Sequence, residues 1–197
     1  MRRQIVLSRP IQVGIVTVAT SDELLSNVGL SAWQDSGGLA LEQVLPPEAF
    51  TIVRPLVVHG GKQKEVERML KDWCEAPNPA ARCDLILTLG GDGPAPRDIM
   101  PDALRAVVQR EIPGLAEMLR QGCQKLRPGG KELLPAALSR ATAGCRARTL
   151  IVNIPGCYAK PAEAIRILLP ILPEALMSIG VEAFESDSAA GAMAAPD

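Results

Sequence analysis

Aromatic side chains are scarce in this chain: two Trp, one Tyr and two Phe in 197 residues. So few stacking platforms weigh against a binder of single-stranded nucleic acid. A formal net charge of −1 offers no basic surface for phosphate backbones or anionic membranes. The single histidine, His59, argues against a structural zinc site. Five cysteines, odd in number and without Cys-x-x-Cys spacing, point to reduced thiols in a cytoplasmic protein. No apolar run reaches the ~18 residues that cross a bilayer. The basic start, Met1 to Pro10, carries too short an apolar stretch for a secretory signal. These absences leave a cytoplasmic protein whose partners are neither nucleic acid nor membrane.

What is present centres on Leu85 to Asp98. Leu85-Ile86-Leu87-Thr88-Leu89 reads as a strand buried on both faces of a parallel sheet. The chain then turns through Gly90, Gly91 and Gly93, with Pro94 and Pro96 fixing the path. Main-chain N–H groups of such glycines can approach anionic oxygens. Arg97 can add a bidentate fork, and Asp98 a carboxylate for metal or proton work. In an open α/β sheet, ligands sit where this loop falls, at the carboxyl ends of the strands. The loop is neither a P-loop, since Pro94 replaces the lysine, nor a dinucleotide fingerprint, since Pro96 replaces the last glycine. A plain Gly/Pro turn with a surface Arg-Asp pair stays open at this level.

Around this strand, helical and strand patterns alternate. Val13 to Ala19 predicts a buried strand ending in the small polar groups Thr20, Ser21 and Asp22. Glu23 to Trp33 reads as a loop. Asp35-Ser36-Gly37-Gly38 before Leu39, Leu41, Val44 and Leu45 predicts a helix start, able to receive an anion or to be capped by its own side chains. Ala49 to Val58 reads as a second strand, with Pro55 suggesting an edge or a bend. Gln63 to Cys74 predicts a helix with Val66, Met69, Leu70 and Trp73 on one face. Pro101 is suited to the first position of a helix running to about Arg110, and a further helix follows Pro113-Gly114. Leu126 to Glu132 reads as a surface excursion. Leu138-Ser139-Arg140 and Thr149 to Ile154, bracketing Gly144, predict two strands and a turn. Asn153-Ile154-Pro155-Gly156 closes the second of them in another glycine–proline loop. Glu163 to Leu172 is amphipathic, and Pro173-Glu174 opens a last helix through Ile179. The small, polar residues 185–197 read as a disordered tail. The expectation is one α/β domain over residues 1–184, a three-layer sandwich with a mostly parallel central sheet.

Three blocks together resemble the molybdopterin adenylyltransferases of molybdenum-cofactor biosynthesis, which include the G domain of gephyrin. Asp84 to Ala103 is similar to their Gly-Gly-Thr-Gly…Arg-Asp-Val-Thr-Pro-Glu-Ala block. Arg110-Glu111-Ile112-Pro113-Gly114 matches the segment that follows. Leu138-Ser139-Arg140 and Asn153 to Gly156 resemble their Leu-Ser-Arg and Asn-Leu-Pro-Gly blocks. The resemblance implies the molybdopterin-binding fold. It also implies a reaction joining AMP from Mg-ATP to the phosphate of molybdopterin, with release of pyrophosphate. By resemblance, Gly90, Gly91 and Gly93 hold the anionic substrate, Arg97 neutralises charge and Asp98 handles Mg-ATP. Arg97, Asp98 and Ser139 are then the catalytic residues. Arg140, Asn153, Pro155 and Gly156 line the pocket, and Ser21, Asp22, Asp35, Ser36 and Gly37 belong to two loops that contact nucleotide and pterin. A homotrimer and a molybdenum-insertion protein as partner are implied in the same way.

The departures are specific. Asp92 stands where the family has Thr between its loop glycines, a negative charge where an anion is expected. The family's Val-Pro-Asp acid is missing from Val57-Val58-His59-Gly60-Gly61. Met100 replaces a Thr that would cap the next helix, so Met100→Thr is expected to stabilise the fold. Arg127 to Lys131 reads as an insertion. Asp92 together with Asp98 could supply a magnesium-binding pair in place of the missing acid. The alternative is a non-catalytic pterin-binding or scaffolding module of the same fold.

Overall fold

The computed structural model describes residues 7–19, 40–59, 61–126, 133–156 and 161–184. Six strands form one sheet in the order β2-β1-β3-β6-β5-β4. β1 (Ile11–Ala19), β2 (Phe50–His59), β3 (Leu85–Leu89) and β6 (Thr149–Ile154) are parallel. β5 (Ala143–Arg146) runs antiparallel to β6 and to the short edge strand β4 (Arg110–Glu111). Every residue of β3 and β6 is buried, as continuous apolar runs in the middle of a covered sheet must be.

Helices cover both faces. α1 (Gln63–Glu75) and α2 (Met100–Val107) bring Val66, Leu70, Trp73, Leu104 and Val107 against Val16, Val18, Ile86 and Ile151. α3 (Pro113–Leu126), α5 (Pro161–Leu168) and α6 (Leu172–Ser178) bring Leu119, Ile165, Leu168 and Leu176 against Val13, Ile15, Leu87 and Val152. The three layers expected from the sequence are these. Each fully buried leucine or isoleucine contributes on the order of 1.5–3 kcal/mol of transfer free energy. No described helix is long and apolar enough to cross a membrane.

Pro55 lies in β2, an edge strand, where a missing N–H costs no central ladder bond. Other expectations are corrected. Leu138-Ser139-Arg140 is not a strand: Leu138 ends the short helix α4 (Leu133–Leu138) and is 52% exposed, and β5 starts only at Ala143. The turn between β5 and β6 passes through Ala147, at φ 48. α2 stops at Val107 rather than Arg110, because Arg110 and Glu111 pair with Cys145 and Gly144. Met100 is not a helix cap. It is the first residue of α2 and fully buried, while Ile99 occupies the cap position with helical backbone angles and no side-chain bond. Residues 40–42 are helical, but the loop at 23–33, the expected helix start at 35–38, the insertion at 127–131 and the tail at 185–197 lie outside the described residues, and Leu126, where the surface excursion was expected to begin, is the last residue of α3. Cys74, Cys83 and Cys145 are buried free thiols.

Candidate functional site

Parallel register sets the site. Leu89 pairs with Ile154, so Gly90 to Asp92 leaves β3 beside Pro155 and Gly156 leaving β6. Gly90 and Gly91 are consecutive left-handed residues, at φ 75 and 65. A side chain at either would be strained, and this is why the sequence needs glycine twice. The Gly91 carbonyl then accepts from Met100 N at 3.0 Å, closing the loop onto the start of α2.

Within the loop, Asp98 folds back. Its Oδ2 accepts from Ala95 N at 3.0 Å, and a Cβ added at Gly93 would lie 2.6 Å from the same oxygen. Gly93 is thus glycine to make room for the Asp98 carboxylate. Asp98 is half-buried and Arg97 beside it is exposed at the rim.

Asp92 points the other way, inward, and is 5% exposed. One carboxylate oxygen accepts the Ser139 hydroxyl proton and the other accepts Gly156 N–H at 2.9 Å. Its own carbonyl accepts from Arg140 N at 2.7 Å. A Cβ at Gly156 would meet Asp92 Oδ1 at 2.9 Å, so this approach also depends on a missing side chain. A buried carboxylate without such donors would be costly.

Arg140 holds the loop from the opposite side. Nε donates to Gly93 O at 2.8 Å, Nη2 donates to Asp98 O, and Nη1 donates to Asp102 Oδ2 at 3.0 Å. Asn153 is fully buried and donates from Nδ2 to Thr88 Oγ1 at 2.9 Å. Its Oδ1 has no hydrogen-bond partner among the described residues.

Of the residues singled out in the sequence, Gly90, Gly91, Asp92, Gly93, Arg97, Asp98, Ser139, Arg140, Asn153, Pro155 and Gly156 come together at this end of the sheet. Pro155 is buried and Gly156 exposed. Ser21, Asp22, Asp35, Ser36 and Gly37 lie outside the described residues. Sequence reasoning missed Thr88 and Asp102, the partners of Asn153 and Arg140. The only signal for Thr88 was a polar residue inside an apolar strand. Among the described residues, no group of three or more His, Cys, Asp or Glu could hold a metal ion unaided.

This geometry has clear relatives. A family model described as a probable molybdopterin binding domain matches residues 16–174. The molybdopterin adenylyltransferase of Helicobacter pylori J99 is 33% identical over 145 residues, 72% of this chain and 75% of that protein. The molybdopterin adenylyltransferase of Escherichia coli K12 is 37% identical over 152 residues, 74% of this chain and 67% of that one. The crystal structure of the molybdopterin biosynthesis enzyme MoaB from Thermus thermophilus is 36% identical and superposes with a TM-score of 0.69, covering 89% of this chain and 99% of that one. With its glycine loop, its Arg-Asp pair and these matches over most of its length, the chain belongs to the molybdopterin adenylyltransferase family.

Proposed function

We propose that the protein is a molybdopterin adenylyltransferase. An oxygen of the molybdopterin phosphate attacks the α-phosphorus of ATP. A new P–O bond forms, the bond between the α- and β-phosphates breaks, and pyrophosphate leaves with the electron pair. The observation that carries this reading is the convergence of Gly90, Gly91, Gly93, Arg97 and Asp98 on one loop at the carboxyl ends of parallel strands.

Such a reaction asks the protein mainly to position two anionic reactants and offset their charge. The glycine loop brings its backbone close to the phosphates, and exposed Arg97 supplies a cationic fork for oxygens on which charge builds up. Magnesium, when bound with ATP, would offset phosphate charge and orient the leaving pyrophosphate. Asp98 fits that role: the described bond to Ala95 engages Oδ2, and Oδ1 is the oxygen available to a hydrated cation. Asp92 fits less well as the second ligand, because both its oxygens already accept protons from Ser139 and Gly156.

The same reading makes the protein a cytoplasmic homotrimer that passes adenylylated molybdopterin to a molybdenum-insertion protein. Incubating the protein with molybdopterin and Mg-ATP, then resolving the products by chromatography, tests the activity. Adenylylated molybdopterin with matching pyrophosphate is the expected result. Pterin binding without either product would instead make the chain a non-catalytic pterin-binding module.

A further inference from the structure

A serine hydroxyl has one proton to give and two lone pairs to offer. Ser139 gives its proton to Asp92, a carboxylate that only accepts, and its oxygen takes Ala141 N–H at 3.3 Å. The second Asp92 oxygen takes the Gly156 N–H at 2.9 Å. Two donors that would suit a phosphate oxygen, the Ser139 hydroxyl and the Gly156 amide, are therefore both turned inward onto one buried negative charge. Ser139 is half-buried, so what it presents to a ligand is a remaining lone pair backed by that charge.

We propose that Asp92 is a specificity-determining residue that makes the corner formed by residues 92, 139 and 156 a hydrogen-bond acceptor site. It receives an N–H or amino group of the heterocyclic part of the substrate and turns phosphate away. Phosphate is left to the glycine loop and Arg97 on the other side of Gly93. Asp92 in this account touches the ligand through Ser139, and it binds no metal. The assignment rests on the adenylyltransferase reading for the identity of the heterocycle, a pterin.

Equilibrium binding of two unreactive probes, a pterin without phosphate and inorganic pyrophosphate, tests this on the full chain. Neither probe turns over, so the outcome is independent of whether the protein adenylylates anything. The wild type is expected to bind the pterin with or without Mg2+. Asp92→Thr frees the Gly156 amide and lets the Ser139 proton rotate outward. It should weaken pterin binding about tenfold or more and strengthen pyrophosphate binding by a similar factor, the scale of one charge-assisted hydrogen bond. Asp92→Asn, which keeps the side-chain shape, should move both affinities in the same directions and serves if the threonine variant does not fold. Ser139→Ala should weaken the pterin without strengthening pyrophosphate. Unchanged pterin and pyrophosphate affinities in a folded Asp92 variant would overturn the proposal. So would a wild type that binds pyrophosphate but not pterin, or neither probe. A Mg2+-dependent gain in pyrophosphate binding that Asp92→Asn abolishes would overturn it too, and return Asp92 to the metal.

Discussion

The Arg140 guanidinium meets the Asp102 carboxylate across 38 residues of chain, with Nη1 3.0 Å from Oδ2. The other two nitrogens of the same group reach the carbonyls of Gly93 and Asp98. One planar side chain thus ties the glycine loop to the first turn of α2. Three acceptors in fixed directions suit a guanidinium and not an ammonium. Arg140→Ala should lower stability by about 1–3 kcal/mol in chemical denaturation and reduce turnover by loosening the loop. Arg140→Lys should recover only part of either, and full recovery would show that charge alone matters at this position.

Asp98→Asn keeps size and a hydrogen-bonding oxygen while removing the charge. Adenylylation should fall on the order of 10²-fold or more, comparable with losing one electrostatic element of a site. Stability should change little, because the amide oxygen can still accept from Ala95 N. Unchanged turnover would remove Asp98 from the mechanism.

Met100→Thr is now expected to act opposite to the capping argument. Met100 is fully buried, in the same cluster as Ile99, Ala103 and Leu104. Threonine there would leave a cavity and bury a hydroxyl. The cost should be about 2 kcal/mol or more, read from the denaturation midpoint. A gain in stability would mean that the α2 start differs from the one described.

Burial pushes the Cys74 and Cys83 thiols up to about 12 from an ordinary value of 9.0. For Cys74 a hydrogen bond with Thr149 works in the other direction, and for Cys83 the neighbouring Cys74 adds to the rise. The unfolded chain therefore releases these protons from about pH 9, while the folded chain holds them to about pH 12. Their stabilising contribution is complete below pH 9 and is lost as pH rises through that window, at most about 1.4 kcal/mol per pH unit for each thiol. Alkylation at pH 8 followed by mass spectrometry should leave both unmodified in the native protein and modify both in denaturant. Rapid native labelling of either would contradict this burial.

The parts of the fold that depend on neighbouring residues were legible in the sequence. The apolar runs of β1, β3 and β6 and the spaced Val66, Leu70 and Trp73 of α1 carry their burial in their own periodicity. Leu138-Ser139-Arg140 misled because its pattern is too short to distinguish a strand from a helix end. What decides it is the pull of Asp92, Gly93 and Asp98 on residues 139 and 140, some 40 to 50 positions away. Met100 misled for a similar reason: a position before proline looks like a cap until the α2 face that buries it is known. The loop glycines pointed to a site, but which of them gives turn and which gives space required the coordinates. Asp92 read as a misplaced charge because its two donors, Ser139 and Gly156, belong to distant segments.

The sheet order also governs when the site comes into being. β3 lies between β1, made before it, and β6, made some 60 residues later. During synthesis, the β2-β1-β3 half exposes the open, apolar edge of β3, a hazard for pairing with other chains. The glycine loop at its end meanwhile lacks Ser139, Arg140 and Gly156. When β6 pairs with β3, that edge is covered and the Gly156 amide is brought to Asp92 in one step, with Ser139 and Arg140 supplied by the segment just before β5. A chain stopped before Thr149 would therefore keep β3 open and lack the Gly156 amide that Asp92 accepts, and completing the last quarter of the protein cures both faults together.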